Sequence, residues 1–179
     1  AYSMEHLIAE LMQMILYNLH GHDVKCRARF LTPIPQTVIG DEERVREVLQ
    51  NVMSNAVKFT KSGEIDLSIS CEKKELDRVC FCCVIEDTGA GMTEEQLEHV
   101  FESYRTYAVE GQEGTGLGMT IVKQLCELMQ GDCEISSEVG KGTCVTVSFY
   151  HRAKGEAMVK PKEINHFTLV ERIVNYREN

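Results

Sequence analysis

Basic charge is what this 179-residue sequence has least of: 19 lysines and arginines stand against 28 aspartates and glutamates, a formal net charge of -9. Nucleic-acid surfaces neutralise phosphates with clustered Lys and Arg, and only the far C-terminus approaches such a cluster, so that class of partner is excluded. Long apolar runs are missing too. None approaches the ~20 residues of a spanning helix, and Glu5 and Glu10 stand where an export signal is basic and then apolar. No membrane contact is expected of this segment. Loop cysteines at regular spacing are a third absence. Cys26, Cys71, Cys80, Cys82, Cys83, Cys126, Cys133 and Cys144 sit in strand-like or helix-like apolar patterns, which argues against a disulfide framework and for reduced core thiols in a cytoplasmic compartment. Cys80 and Cys83 spell C-x-x-C, but strand alternation sends them to opposite faces, away from any shared metal.

What is present is an ordinary globular composition, 43% hydrophobic and 26% charged, at a length that supports one well-packed domain. Residues 4–19 carry Leu7, Ile8, Leu11, Met14, Ile15 and Leu19 at helical spacing, closed by Gly21. Val24, Cys26, Ala28 and Phe30 alternate with Lys25, Arg27 and Arg29 as a strand with one wet face, ended by Pro33 and Pro35. Asp41 caps a long helix reaching Phe59, with Glu42 and Glu43 in its first turn. Past a turn at residues 60–63, Ile65, Leu67, Ile69 and Cys71 alternate as a strand. A charged hairpin and the apolar strand 79–85 follow, antiparallel because the connection is short. Residues 93–96 spell a capping box for a short helix, and strands at 133–137 and 143–150 close the pattern. His6, His20 and His22 read as solvated.

Three stretches exceed what packing asks for. The strand 79–85 runs into Asp87, Thr88, Gly89, Ala90, Gly91 and Met92, setting a carboxylate and bare backbone at one sheet edge where a flat polar ligand could lie. Taken alone, a tight turn is the plainer reading. Beside the apolar face of the long helix runs a second stripe, Glu47, Asn51, Asn55 and Lys58. Asparagine is a poor interior helix former, so two of them one turn apart need a reason beyond propensity. The stripe is either a solvated face or a hard ligand set for a magnesium ion that keeps most of its waters and takes phosphate oxygens. Finally, Gly114, Thr115, Gly116, Leu117 and Gly118 open a helix whose apolar side is Ile121, Val122, Leu125, Leu128 and Met129. Free N–H groups at such a start suit a phosphate, although the spelling is neither a P-loop nor a dinucleotide fingerprint. Residues 102–113, with Arg105 and two tyrosines, have no period and read as a surface connection or a lid.

In order and spacing, Asn51-Val-Met-Ser-Asn55-Ala-Val-Lys58-Phe59-Thr60, Asp87-Thr-Gly89-Ala-Gly91-Met92, Phe101-Glu102 and Gly114-Thr-Gly116-Leu-Gly118-Met119 resemble the N, G1, F and G2 boxes of sensor histidine kinases, and Gly140-Lys-Gly142-Thr143 adds to the likeness. The resemblance covers residues 1–150. It implies an α+β fold of the superfamily shared with gyrase, mismatch-repair and heat-shock chaperone ATPases: a two-layer α/β sandwich, its mixed and mostly antiparallel sheet packed on helices, with an ATP lid loop at 102–113. It also implies the ligands, ATP and Mg²⁺. Asn51 is expected to hold the metal, Asn55 and Lys58 to lie near the phosphates, and Phe59 to border the nucleotide. Asp87 accepts the adenine amine, which selects against guanine's carbonyl, while Gly89, Gly91 and Met92 let backbone approach the base. Gly114, Thr115, Gly116, Leu117 and Gly118 hold the polyphosphate, with Arg105 a phosphate contact from the lid.

The resemblance further implies transfer of the ATP γ-phosphate to a histidine on a separate dimerisation domain, in a homodimeric parent that serves a response regulator receiver domain. That acceptor histidine belongs to a His-Glu or His-Asp motif on a two-helix domain, and His6 and His20 do not supply it. Glu47 keeps a rival open. A glutamate one turn before the metal-binding asparagine activates water in the hydrolysing branches, so ATP hydrolysis is one alternative and a degenerate nucleotide-binding signalling module another. Residues 151–179 fall outside the likeness and are expected to be an extension or linker, with Ile164, Phe167, Val170 and Val174 on one face of a small helix.

Overall fold

The computed structural model describes residues 1–102, 118–166 and 168. Helix α1 (Met4–Asn18) starts where the Ser3 side chain accepts the His6 amide at 3.2 Å, and it buries the face carrying Leu7, Ile8, Leu11 and Ile15. Helix α2 (Glu42–Phe59) starts on Asp41, whose carboxylate accepts the Arg44 amide at 3.1 Å. It buries Val45, Val48, Leu49, Val52, Met53 and Ala56, the apolar face read from the sequence.

These helices pack on one face of a seven-stranded sheet. Its strands are β1 (Asp23–Phe30), β3 (Val38–Ile39), β4 (Ser62–Lys73), β5 (Arg78–Asp87), β6 (Cys133–Glu138), β7 (Gly142–Ala153) and β9 (Lys162–Ile164), with β2 (Ile34–Pro35) and β8 (Met158–Val159) forming a separate pair. The order is β3-β7-β5-β4-β1-β9, with β6 also on β7; β1 and β4 run parallel and every other pairing is antiparallel. Alternation decides the layers. On β5, Val79, Phe81, Cys83 and Ile85 are buried under the helices, while Cys80, Cys82, Val84 and Glu86 take the opposite face. The expected two-layer sandwich and the antiparallel hairpin of β4 and β5 are both found, as is the separation of Cys80 from Cys83. Burial pushes the Cys26 thiol up to about 12, and all eight cysteines are free. No helix among the described residues is long and apolar enough to cross a membrane.

His166 and Thr168 are helical, as expected of the tail, but Ile164 is not part of that helix. Ile164 lies on β9, where it pairs with Ala28 of β1 and is buried; Phe167, Val170 and Val174 lie outside the described residues. The free edge of β1 explains the difference, because its unpaired backbone groups are satisfied by a strand and not by a helix. Lys162 of β9 also reaches back to pair with Glu5 of α1.

A buried histidine that the sequence pattern did not mark pins the chain's start. The Nδ1 of His151 donates to the Tyr150 carbonyl at 2.7 Å, which leaves Nε2 to accept from the Tyr2 hydroxyl at 2.8 Å. Phe81, Phe149 and Gly40 close around the ring, and burial lowers its pKa against smaller opposing effects of the Tyr150 carbonyl and Asp41. Being neutral when folded, His151 favours the fold fully above the ordinary histidine value near 6.5, and that contribution is lost as pH falls through 6.5 toward the lower folded value. Thermal unfolding followed from about pH 7.5 to about pH 5.5 is expected to show a falling midpoint. His151→Asn is expected to flatten that slope, and an unchanged slope would refute the assignment.

Candidate nucleotide site

Asp87 is the last residue of β5, on the helix-facing side of the strand. The Gly89 amide donates to its Oδ1 at 2.9 Å, and the Thr143 amide also favours the charged carboxylate. Burial raises the Asp87 pKa, and these two amides act against the rise. The loop that follows is clamped to the end of α2, because the Ala90 amide donates to the Phe59 carbonyl at 3.2 Å. This clamp revises the reading of the glycines. A side chain at Gly89 would stand 2.4 Å from the Phe59 carbonyl oxygen, and one at Gly91 would stand 2.1 Å from that of Glu138. Crowding by the protein's own backbone demands glycine at both positions, whatever lies against the loop. The Met92 amide is held by Ser137 Oγ at 2.8 Å.

The stripe on α2 faces the start of α4 (Gly118–Leu128). Asn51 Nδ2 donates to the Glu47 carbonyl at 2.9 Å, which fixes the amide and leaves Oδ1 turned toward Gly118, 3.5 Å from the position of a Cβ there. An amide oxygen aimed at a helix N-terminus suits a hard cation shared with phosphate oxygens. Among the described residues no three His, Cys, Asp or Glu side chains gather as a metal site, so any ion here relies on this oxygen and its ligand's own atoms. Asn55 and Lys58 follow on the same helix, both half-buried, with the Lys58 ammonium 5.3 Å from the Phe59 ring centre. The Glu47 side chain is exposed. The short helix α3 (Glu94–Glu98) has its expected capping box between Thr93 and Gln96. Beyond it, the Phe101 carbonyl accepts from Thr120 Oγ1 at 2.9 Å and its ring lies under Lys123, tying the F box to α4. Arg105, Gly114, Thr115, Gly116 and Leu117 lie outside the described residues.

A cleft of about 430 Å³ opens at the same rim between Glu64, Asp66, Glu86, Glu138 and Thr143. Asp87 lines this cleft too, from the helix-facing side, while its other acids occupy strand positions that alternate away from the helices. Sequence reasoning missed two contributors here, Thr143 and Gly142, although the Gly-Lys-Gly-Thr spelling at 140–143 was their signal.

Residues 40–153 match the family model described as histidine kinase-, DNA gyrase B- and HSP90-like ATPase. The chain belongs to that family. It is 36% identical over 129 residues to hybrid signal transduction histidine kinase B of Dictyostelium discoideum, covering 67% of this chain and 6% of that protein. It is 35% identical over 124 residues to the aerobic respiration control sensor protein ArcB of Escherichia coli K12, covering 66% and 15%. Among solved structures, full-length ShkA in complex with AMPPNP superposes with a TM-score of 0.70 at 26% identity, over 87% of this chain and 31% of that one. The ThkA catalytic domain has the same fold, at a TM-score of 0.63. The chain is thus a histidine kinase-type ATP-binding domain spanning a small part of the relatives it matches. The acceptor motif that the resemblance implies has a formal spelling here in His22-Asp23, but the pair sits at the turn into β1, exposed and off any helix.

Proposed function

We propose that this chain is the catalytic domain of a sensor histidine kinase, passing the γ-phosphate of Mg²⁺-bound ATP to a histidine on a separate dimerisation domain. The reading rests above all on the meeting of Asn51 Oδ1 with the N-terminus of α4, at the rim where Asp87 is held. Phosphoryl transfer asks a protein for positioning and charge neutralisation more than for covalent chemistry. Asp87 orients the base through the adenine amine, with Gly89, Gly91 and Met92 shaping the backbone beside it and Phe59 bordering it. Asn51 would hold Mg²⁺, which when bound offsets phosphate charge. Asn55, Lys58 and the α4 N-terminus at Gly118 hold the phosphates, joined by Gly114, Thr115, Gly116, Leu117 and Arg105. Glu47 sits one turn before Asn51, where its carboxylate can take the proton released by the attacking imidazole.

In this reading residues 1–150 form the catalytic unit, the parent is a homodimer acting in the cytoplasm, and its phosphohistidine serves a response regulator receiver domain. The test mixes this chain with the parent's histidine-bearing domain and γ-labelled ATP. Acid-labile label is expected on that domain, and chelation of Mg²⁺ is expected to lower transfer by about a hundredfold or more. Phosphate release at full rate without an acceptor, abolished by Glu47→Gln, would instead establish a hydrolase.

A further inference from the structure

A second cleft, of about 580 Å³, opens at the end of the sheet away from Asp87, between the hairpin tip at residues 75–78, the end of α4 and the end of β7. Arg78 opens β5 and Asp87 closes it, so roughly 30 Å of strand separates this cleft from the nucleotide rim. Three features here exceed what packing asks for. Of the seven large apolar side chains exposed among the described residues, three gather on this cleft: Leu76 at 92%, Leu128 at 62% and Ile39 at 42% exposure. Only two non-glycine residues among those described have a positive φ, Leu76 at 57° and Gln130 at 64°, and both line it. A leucine in that conformation is strained where a glycine is not, and an exposed one gains no burial in return.

The third feature is Arg78. Its guanidinium carbon lies 4.0 Å from the centre of the Tyr150 ring, one of its NH₂ groups donates to Gln130 Oε1 at 2.7 Å, and no carboxylate among the described residues pairs with it. The fork is held in place with its charge unanswered. The other two arginines of the lining are engaged, Arg44 with Asp41 and Arg152 with Asp77. Around them, the hairpin tip and the end of β7 set Lys73, Lys74, Arg78, Arg152 and Lys154 against Glu72, Glu75 and Asp77, a local surplus of cations in a chain of net charge -9.

We propose that this cleft docks an acidic peptide segment of a partner protein, setting one of its carboxylates on the Arg78 fork and an apolar side chain between Leu76, Leu128 and Ile39. The planar N–H groups of arginine meet a carboxylate side by side, and a side chain already stacked and bonded loses little freedom on binding. The strained turn holds Leu76 out at the rim, where a bound segment covers it. Docking here leaves the Asp87 rim open, so the proposal is independent of the nucleotide reading.

The test pans a displayed library of random short peptides against the native chain. The selected peptides are then titrated by fluorescence anisotropy against native, Arg78→Gln, Arg78→Lys and Leu76→Gly chains, whose melting temperatures are also measured. Asp or Glu beside Leu, Ile or Phe is expected in the selected sequences. Arg78→Gln should weaken their binding about thirtyfold, and Arg78→Lys, which keeps the charge without the fork, about tenfold. Leu76→Gly should weaken it about tenfold while melting at or above the native temperature, because glycine relieves the positive φ. Failure to select a binder, selected peptides without acidic residues, or native affinity in Arg78→Gln and Leu76→Gly would overturn the proposal, as would weaker binding by a Leu76→Gly chain that melts lower. Self-association of the native chain in sedimentation, lost in Leu76→Gly, would assign the cleft to a second copy and overturn it as well.

Discussion

Asp87→Asn is expected to weaken binding of a non-hydrolysable ATP analogue by about two orders of magnitude or more, with the fold intact. The native carboxylate only accepts, and one of its oxygens already takes the Gly89 amide. An asparagine that keeps this bond must keep its carbonyl there, which turns its NH₂ group toward the adenine amine and sets donor against donor. Turning the amide over restores an acceptor for the base but faces the Gly89 amide with a donor, and the loop clamped to Phe59 cannot shift to relieve it. Either orientation leaves one buried donor unpaired. Calorimetric titration in Mg²⁺ checks this, with circular dichroism as the control for folding. Retained affinity would show that the base is recognised elsewhere.

Gly142→Ala is expected to be the costliest methyl group that can be added near the site. Gly142 has φ +118°, and a Cβ would stand 1.8 Å from the Asp87 carbonyl oxygen and 3.0 Å from the Thr88 Cα. Those are backbone atoms of a paired strand, so no side chain can swing aside. Strain and overpacking together should cost roughly 3 kcal/mol or more, lowering the melting temperature by about 6–12 °C for a chain of this size. Gly140→Ala is the matched control. Gly140 also has a positive φ, at +79°, but nothing lies within 4 Å of its Cβ position, so only about 1 kcal/mol of backbone strain is expected. Equal melting temperatures for the two variants would refute the crowding. Because the displaced atoms belong to Asp87, Gly142→Ala should also lower nucleotide affinity.

The contrast between these two glycines shows where the sequence was legible. The groups proposed to face the ligand fall on short contiguous stretches, so Asn51 to Thr60 and Asp87 to Met92 could be picked out from spacing and from residues that packing does not want. The periods of α1, α2, β4 and β5 were equally plain, because each buries one continuous face. Contacts between distant segments left no such mark. Three residues of β9 are too few to show alternation, so Ile164 looked like part of a helix until the edge of β1 claimed it. The parallel pairing of β1 with β4 and the bond from Tyr2 to His151 depend on which segments meet, which spacing along the chain does not encode. The crowding at Gly89 comes from the Phe59 carbonyl thirty residues earlier in the chain, a contact that spacing does not encode.

The same long-range closures govern how the molecule assembles. Tyr2 waits for a partner 149 residues downstream, and β1 completes its outer edge only with residues 162–164. A ribosome adding about 5–20 residues per second exposes α1 and β1 for several seconds before either closure can form. The pairing of β1 with β4 and the hairpin of β4 with β5, all within residues 23–87, are the sheet contacts available first. Assembly of this domain therefore leaves Tyr2 and the outer edge of β1 open until residues 151 and 162–164 arrive.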